Sequence, residues 1–309
     1  MSKASKRIKV MTLKEAVEKF VFDGAVVGLG GQNISRCQVA TVHEIIRQKK
    51  KDLTLTGCNL SIQMDLLVAA GSVKRCECGS GNLERFGATF SFKRAIEEKR
   101  MEIEDFSHGS MVSRFLAAEM GIPFIPCRSL LGSDILKTKA PSTQKKYEMV
   151  DNPWNPGEKV LLLPALSPDV AIVHVQKADE IGNIIIEGIS NHEPEMIRAS
   201  KTCIITCEEL ISSDQTRRNS DRTTIPYHFI DAVVEVPFGA YPTMTYRYYN
   251  YDNDHIRAYQ ECARKGGDAI KKYLDDNVYS CENFEDYLEK AGGLKRMMEL
   301  RKAMLRMVG

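Results

Sequence analysis

The chain contains 309 residues, of which 43% are hydrophobic and 27% are charged. The length corresponds to one large α/β domain or two ordinary domains. The composition is that of a globular protein, and it excludes disordered, collagen-like and coiled-coil proteins. The 43 basic and 41 acidic side chains give a net charge of +2, which argues against a nucleic-acid-binding protein. No apolar run approaches the roughly 20 residues that a membrane-spanning helix requires, so no membrane insertion is expected.

The N-terminal segment and the cysteines both favour a cytoplasmic location. Residues 1–7 are basic, but a helical pattern follows them in place of the apolar core of a signal peptide. The chain has nine cysteines, which is not an even number. In a chain of this length, such a count is more typical of reduced thiols than of a disulfide framework.

Helical and strand-like patterns alternate along the first half of the chain. Thr12 and Glu15 form a capping box at the start of the first predicted helix. A short apolar strand at residues 25–29 then ends in Gly30-Gly31, and a second strand covers residues 53–56. Further helices are predicted at 39–49, 62–70, 92–99 and 111–120. Apolar runs without clean alternation predict an open, mostly parallel sheet that is covered by helices on both faces.

The second half begins with an irregular excursion and ends in a helical tail. Periodicity is lost at residues 138–157, which contain three prolines. Short β-branched runs then predict strands at 159–163, 169–173, 183–186, 202–206 and 232–236. Residues 252–309 are charged and helical, and an apolar face is predicted from Leu294, Met297, Met298, Leu300, Met304 and Leu305. We expect residues 1–309 to form a single domain.

Gly28-Leu29-Gly30-Gly31 lies between a predicted strand and a predicted helix, where backbone N–H groups can bind an anion. As a dinucleotide fingerprint the segment fails, because the third glycine position is occupied by Asn33. The P-loop pattern G-x-x-x-x-G-K-[ST] does not occur in the chain. On spacing alone, a ligand-facing loop and a purely structural turn both stay open.

No metal centre is predicted. The six histidines lack the spacing of known metal motifs. Cys76 and Cys78 lack the two-to-four-residue gap of structural zinc sites, and both this pair and the pair of Cys203 and Cys207 lie in strand-like apolar context. Buried, unmodified thiols are the better interpretation. Glu187 stands at a strand end before Gly188, where a nucleophilic carboxylate would be displayed, but a solvated or ion-paired glutamate is the commoner case. The tyrosine-rich segment 238–251 favours packing or a subunit contact over base stacking.

Five segments in order carry a family resemblance. They are residues 23–32, 103–124, 128–134, 163–183 and 236–242, and the first reads Asp-Gly-Ala-Val-Val-Gly-Leu-Gly-Gly-Gln. Together these segments resemble the alpha (A) subunit of the family I CoA-transferases, most closely the glutaconate CoA-transferase type. The resemblance covers about residues 10–245, which is most of the chain.

The resemblance implies an open α/β fold and a two-subunit enzyme, α2β2 or larger. In that family a glutamate of the beta subunit attacks the acyl-CoA, and CoA passes to a carboxylic or dicarboxylic acid through a glutamyl-CoA thioester by ping-pong kinetics. Coenzyme A thioesters are then substrates, and no permanently bound cofactor is expected. The beta-type Ser-Glu-Asn-Gly-like stretch is absent here, so we expect no catalytic residue in this chain.

The resemblance also implies that this chain forms the acyl side of the shared pocket, with backbone donors in its glycine turns stabilising the oxyanions of the reaction. Substrate binding is expected at predicted strand ends, at Gly30, Gly31, Gln32, Asn33, Ser80, Asn82 and His108. The family's phenylalanine is Gln32 here, and its later glycine is Arg36. An amide at Gln32 would suit a polar or carboxylated acyl chain.

Two alternatives follow from the same residues. A sister branch of the fold hydrolyses a carbon–carbon bond in a cyclic keto-acyl-CoA during steroid breakdown, and its alpha subunit has a carboxylate where this chain has His108. A histidine there can serve as a general base, or it can simply cap or pack the following helix. The third alternative is a noncatalytic CoA-binding or protein-binding subunit.

Overall fold

The computed structural model describes residues 8–143 and 145–308. Its main sheet has the strand order β11-β10-β8-β1-β2-β3-β4, and every pairing along this path is parallel. The bounds are β1 Val26–Leu29, β2 Leu53–Leu60, β3 Val73–Gly81, β4 Glu102–Asp105, β8 Val170–Asp179, β10 Thr202–Ile211 and β11 Ala232–Glu235. The two-residue strand β9 (Ile184–Ile185) pairs antiparallel with β8. The predicted open, mostly parallel sheet is therefore confirmed.

The sheet separates two hydrophobic cores, which explains why its strands read as apolar runs. Along β8, Val170 and Ile172 point into one core, whereas Ala171, Val173 and Val175 point into the other. The first core is covered by α1 Leu13–Phe20, α2 Val39–Arg47, α3 Ile62–Ala69, α4 Phe90–Glu97 and the C-terminal helices. The second core is covered by α5 His108–Glu119 and α6 Glu193–Ala199.

Local capping sets the helix starts. The predicted capping box of Thr12 and Glu15 opens α1. Helix α5 begins at His108, three residues earlier than the predicted start at 111, because Ser107 and Ser110 form a second capping box. This earlier start places His108 in the first turn of the helix, directly after the end of β4.

A second, antiparallel sheet of order β5-β7-β6 is formed by β5 Phe124–Cys127, β6 Glu148–Asp151 and β7 Lys159–Pro164. Strand β6 lies inside the region 138–157, so the excursion contains regular structure that the loss of periodicity concealed. Lys146 links the excursion to the main sheet through an ion pair of 2.8 Å with Glu104, and both side chains are almost fully buried. Strand β7 belongs to this sheet and not to the parallel one.

The C-terminal region packs as α8 Asn253–Lys265, α9 Gly267–Leu274, α10 Phe284–Lys290 and α11 Gly293–Val308, and α7 Ser213–Arg218 precedes it. Of the predicted apolar face of α11, Met297, Leu300 and Met304 are buried. Leu294, Met298 and Leu305 are exposed, so the packed stripe is narrower than expected. Within the described residues, no helix is long and apolar enough to cross a membrane.

Candidate active site

The predicted glycine loop lies where the order of the sheet reverses. Strand β1 has β2 on one side and β8 on the other, so successive strands are added in opposite directions from this point. Crevices at such a switch point, outside the carboxyl ends of the strands, are where open α/β sheets bind ligands. The loop 30–36 follows β1 at this edge.

Gly30 and Gly31 are required by close packing. A Cβ on Gly30 would lie 2.5 Å from the Glu193 Oε1 atom, and a Cβ on Gly31 would lie 2.9 Å from the Ser35 carbonyl oxygen. Gly31 also has a φ of +80°, which only glycine adopts readily. At both positions, the missing side chain allows the backbone of the loop to approach other segments of the protein closely.

The backbone donors of this loop are already engaged, contrary to the expectation of free donors for an oxyanion. The N–H of Gly30 donates to the Ile172 carbonyl at 3.0 Å, and the N–H of Gln32 donates to Ser35 at 2.9 Å. The N–H of Gly31 donates to the Glu193 carboxylate at 2.7 Å. In this conformation, the two glycines shape the loop and do not offer open anion-binding groups.

A buried ion pair closes the base of the loop. The Arg36 guanidinium donates to both carboxylate oxygens of Glu193, at 2.9 and 2.6 Å. It also donates to the carbonyl oxygens of His174 and Ile189. The two side chains are 3% and 0% exposed, so the positive charge of Arg36 is fully compensated inside the protein.

A cavity of about 430 Å³ opens beside this loop. Its lining combines apolar and uncharged polar side chains with one guanidinium group and two carboxylates, and it consists of Gln32, Asn33, Ile34, Ser35, Arg36, Glu84, Glu187, Gly188, Ile189, Met244 and Tyr246. The volume falls in the range of small-molecule sites. We call this cavity the loop cavity below.

The two carboxylates of the loop cavity have different surroundings. Glu187 accepts a hydrogen bond from Arg222 at 2.9 Å and lies 3.5 Å from the Arg247 guanidinium. Glu84 is exposed, and its carboxylate has no ion pair or hydrogen bond with any residue in the described ranges 8–143 and 145–308. Glu187 is therefore an ion-paired glutamate, which is one of the two commoner cases expected from the sequence.

His108 and Ser80 form a second polar group at the same edge of the sheet. The Nε2 atom of His108 lies 3.0 Å from the Ser80 Oγ atom, and the Ser80 hydroxyl donates to the Asn59 side chain. Because that hydroxyl donates to Asn59, Ser80 accepts from the Nε2–H of His108, which leaves Nδ1 as the free acceptor. Gly79 permits this approach, since a Cβ there would lie 2.5 Å from the His108 ring.

In the structure, only some of the seven predicted substrate-binding residues therefore lie at the loop cavity. Gln32 and Asn33 line the loop cavity, whereas Gly30 and Gly31 lie in the loop backbone beside it. Ser80 lies near the end of β3, and His108 lies shortly after the end of β4. Neither residue lines the cavity. Asn82 does not line the cavity, but its side chain accepts a hydrogen bond of 2.8 Å from the backbone N–H of Glu84, which does.

Sequence reasoning missed several residues around the cavity. Glu84 and Ile189 carried no local signal, and Met244 and Tyr246 lie in the tyrosine-rich segment 238–251, for which packing or a subunit contact was predicted and not a place beside the cavity. Glu193 also gave no signal, because its role depends on facing Arg36 across 157 positions of sequence. A positive φ, which Glu84 and Arg36 both have, becomes visible only in the structure.

The cysteines and tyrosines are mainly packing residues. Burial raises the pKa of Cys58, which lies against the backbone of His108, to about 12, so this thiol is not a nucleophile at neutral pH. Among the described residues, no group of three or more His, Cys, Asp or Glu side chains could hold a metal ion. Tyr241 and Tyr249 are fully buried, so these two residues of segment 238–251 have the packing role, and a subunit contact through the rest of the segment stays a prediction.

Comparison with known proteins identifies a family and several relatives of the chain. A coenzyme A transferase family profile matches residues 10–236. The A subunit of glutaconate CoA-transferase from Acidaminococcus fermentans is 33% identical, over 93% of this chain and 93% of its own. The A subunit of 3-oxoadipate CoA-transferase from Pseudomonas knackmussii is 32% identical, over 91% of this chain and 98% of its own. The crystal structure of glutaconate coenzyme A-transferase from A. fermentans superposes with a TM-score of 0.89, covering 94% of this chain and 95% of that one.

More distant and longer relatives complete the comparison. A cholesterol ring-cleaving hydrolase subunit of Rhodococcus jostii is 26% identical over 84% of this chain and 88% of its own, a weaker match than the transferases. An Archaeoglobus fulgidus protein is 38% identical, and the chain spans 64% of its length. With the profile match and the transferase relatives, these findings identify the chain as a member of the coenzyme A transferase family.

Proposed function

We propose that this chain is the A subunit of a heteromeric CoA-transferase, which moves CoA between an acyl-CoA and a carboxylic acid. The observation that carries the proposal is the similarity to named transferase A subunits over more than nine-tenths of the chain. The loop cavity at the switch point between β1 and β8 supplies a place for the acyl group. A coenzyme A thioester is the substrate, and no resident cofactor is proposed.

The nucleophile is proposed to come from a partner subunit. Glu193 is buried in its ion pair with Arg36, and Glu187 is paired with Arg222 and Arg247. A carboxylate held in this way is a poor nucleophile because its charge is already neutralised. The beta-type sequence around a nucleophilic glutamate is also absent from this chain.

The proposed chemistry passes through two covalent intermediates. The partner's glutamate carboxylate attacks the thioester carbonyl, the carbon–sulfur bond breaks, and a mixed anhydride and the CoA thiolate form. The thiolate then attacks the glutamyl carbonyl and releases the first acid, which leaves a glutamyl-CoA thioester. The acceptor carboxylate reverses both steps, so the thioester energy is conserved.

In this scheme, the chain's own residues bind and orient the acyl group. Gln32 and Asn33 border the loop cavity, and Gly30 and Gly31 fix the loop that carries them. His108 and Ser80 stand at the same edge of the sheet and are proposed to contact the acyl side without attacking it.

The hydrolase alternative rests on His108. The residue is exposed at the start of α5, and its contact with Ser80 leaves Nδ1 free to accept a proton from water. A hydrolase would consume acyl-CoA without an acceptor acid, whereas a transferase requires one. This difference separates the two functions in a single assay.

The test is to purify the chain with its co-expressed partner and incubate the complex with acetyl-CoA or succinyl-CoA. Treatment with borohydride or hydroxylamine should modify one glutamate of the partner and none in this chain, as read by peptide mass spectrometry. Replacing that partner glutamate with glutamine should abolish the adduct. A fully active homo-oligomer of this chain alone would refute the proposal.

A further inference from the structure

We infer that Asn59 is a positioning residue, which acts through Ser80 to fix the tautomer of His108 and so presents a hydrogen-bond acceptor to the bound acyl group. This inference rests on the proposed function, because it takes His108 as part of the acyl side of a CoA-transferase. Asn59 does not line the loop cavity, and it acts on the substrate only through its two neighbours.

The three side chains form a row across the ends of three neighbouring strands. Asn59 in β2 lies directly opposite Ser80 in β3, because the register of this parallel pair matches the two residues. Strand β4 pairs with the other side of β3 and ends at Asp105, three residues before His108. The sheet therefore brings together an amide, a hydroxyl and an imidazole that are 21 and 28 positions apart in the sequence.

The direction of the hydrogen bonds in this row is set at Asn59, which is 6% exposed. Its Oδ1 atom lies 2.5 Å from the Ser80 Oγ atom, a separation typical of an O–H···O bond and shorter than that of an N–H···O bond. An amide oxygen can only accept, so the hydroxyl proton of Ser80 belongs to this bond. The other contact of Ser80, with the Nε2 atom of His108 at 3.0 Å, then takes its proton from the imidazole.

The same geometry leaves the Nδ1 atom of His108 on the open side of the ring. The opposite edge of the ring, formed by Cδ2 and Nε2, faces β3, where a Cβ on Gly79 would lie 2.5 Å from Cδ2. The side chain is exposed, and Nδ1 has no hydrogen bond with any residue in the ranges 8–143 and 145–308. A neutral imidazole with its proton on Nε2 has only an acceptor at Nδ1. A substrate group or water molecule that contacts this atom must therefore donate a hydrogen bond.

Ser80 alone would not determine this tautomer. A serine hydroxyl can donate or accept, so it is compatible with a proton on either imidazole nitrogen. The Asn59 oxygen removes this choice, because a hydroxyl turned towards His108 would leave a buried acceptor without its hydrogen bond. Loss of the Asn59 amide should therefore weaken binding at Nδ1 although the imidazole itself is still present.

The first test measures the tautomer directly, in the purified two-subunit enzyme labelled with ¹⁵N-histidine. At pH 8, the ¹⁵N shifts of the two ring nitrogens should place the His108 proton on Nε2, and the spectrum of His108→Ala identifies these signals. Asn59→Leu replaces the amide with an apolar group of similar shape and should populate both tautomers. Asn59→Ala removes the same oxygen without added bulk and serves if the leucine variant does not fold. A wild-type proton on Nδ1, or equal tautomer populations in wild type and variant, would overturn the inference.

The second test is a double-mutant cycle in steady-state kinetics. Asn59→Leu should raise KM for the acyl substrate about three- to tenfold, with a smaller change in kcat, because binding at Nδ1 is weakened. The same substitution should have no further effect in a His108→Ala background, since Asn59 acts through the imidazole. An equal rise in KM in both backgrounds would show a merely structural effect and would overturn the positioning role.

Thr56→Val is the matched control for these variants. Thr56 lies on the same strand and is fully buried, and its hydroxyl has no hydrogen-bond partner among the described residues. The substitution should leave the His108 tautomer and both kinetic parameters unchanged, and a change as large as that in Asn59→Leu would contradict the role of Asn59. A wild-type enzyme without acyl transfer would instead refute the proposed transferase, because the tautomer is measured without any reaction.

Discussion

Arg36 and Glu193 form a two-point ion pair beneath the glycine loop, although 157 positions separate them in the sequence. The same Glu193 carboxylate accepts the N–H of Gly31 at 2.7 Å. One buried acid therefore neutralises a buried base and holds the backbone that carries Gln32 and Asn33. This arrangement also explains why position 36 can hold a large basic residue at a φ of +55°.

Glu193→Ala should destabilise the fold strongly. The substitution leaves the Arg36 guanidinium buried without a counter-charge, which costs about 3–5 kcal/mol. The free energy of unfolding should fall by this amount in urea denaturation at pH 7. The double variant Arg36→Met/Glu193→Met should lose much less, because apolar side chains of similar size can replace a buried ion pair.

The exposed pair Lys93 and Glu97 provides the control for this experiment. Both side chains are more than half exposed, at 60% and 63%, so Glu97→Ala should change stability by less than about 1 kcal/mol. A loss for Glu193→Ala no larger than that of the control would contradict the proposed importance of the buried pair.

Asp65 should make stability fall as the pH rises from about 4 to about 6. Complete burial raises its pKa from 3.8 to about 6, although Phe92 and Tyr259 donate hydrogen bonds to it. The folded state then binds more protons than the unfolded state within this window, so the free energy of unfolding decreases with increasing pH. The contribution of this single group is on the order of 2–3 kcal/mol.

Asp65→Asn isolates that contribution, because an asparagine does not titrate and still has an acceptor for the Phe92 N–H and a group to pair with Tyr259. Unfolding curves at pH 4, 5, 6 and 7 should show a smaller decrease between pH 4 and 6 for the variant than for the wild type. Identical pH profiles for the two proteins would show that Asp65 is not the titrating group.

His108→Ala should mainly affect substrate binding if the chain belongs to a transferase. Loss of one polar contact corresponds to an increase in KM of roughly five- to a hundredfold, with a smaller change in kcat. Ser80→Ala should also raise KM, because the Ser80 Oγ atom lies 3.0 Å from the His108 Nε2 atom and orients the imidazole ring. Steady-state kinetics with one acyl-CoA and one acceptor acid measure both parameters.

A different outcome would favour the hydrolase. If His108 is a general base, His108→Ala should lower kcat by roughly 10²- to 10⁴-fold with little change in KM. Consumption of acyl-CoA without any acceptor acid would support the same conclusion. The two outcomes are distinguishable in a single set of measurements.

Chelators should leave activity unchanged. The proposed mechanism uses a carboxylate nucleophile and needs no Lewis acid, so prolonged EDTA treatment of the two-subunit enzyme should preserve kcat and KM. Elemental analysis of the active complex should give no stoichiometric zinc. Loss of activity in EDTA that returns with added zinc would contradict this prediction.

The sequence by itself determined the class of fold and the position of the main loop. Apolar runs such as β8 predicted parallel strands, because both faces of the sheet are buried. The capping box of Thr12 and Glu15, and the glycines at 30 and 31, are local signals that depend only on neighbouring residues. The five ordered segments predicted the CoA-transferase family, which the family profile and the named relatives confirm.

Only the tertiary structure decided which side chains meet at the site. Glu193, Glu84 and Met244 approach the loop from distant segments, and no periodicity or spacing records such contacts. The structure also showed that Gly31 uses its N–H within the protein, a fact that depends on an acceptor 162 positions away. Local conformational preference and burial are encoded within a few residues of chain, whereas hydrogen-bond partners and compensated charges depend on the packing of the whole sheet.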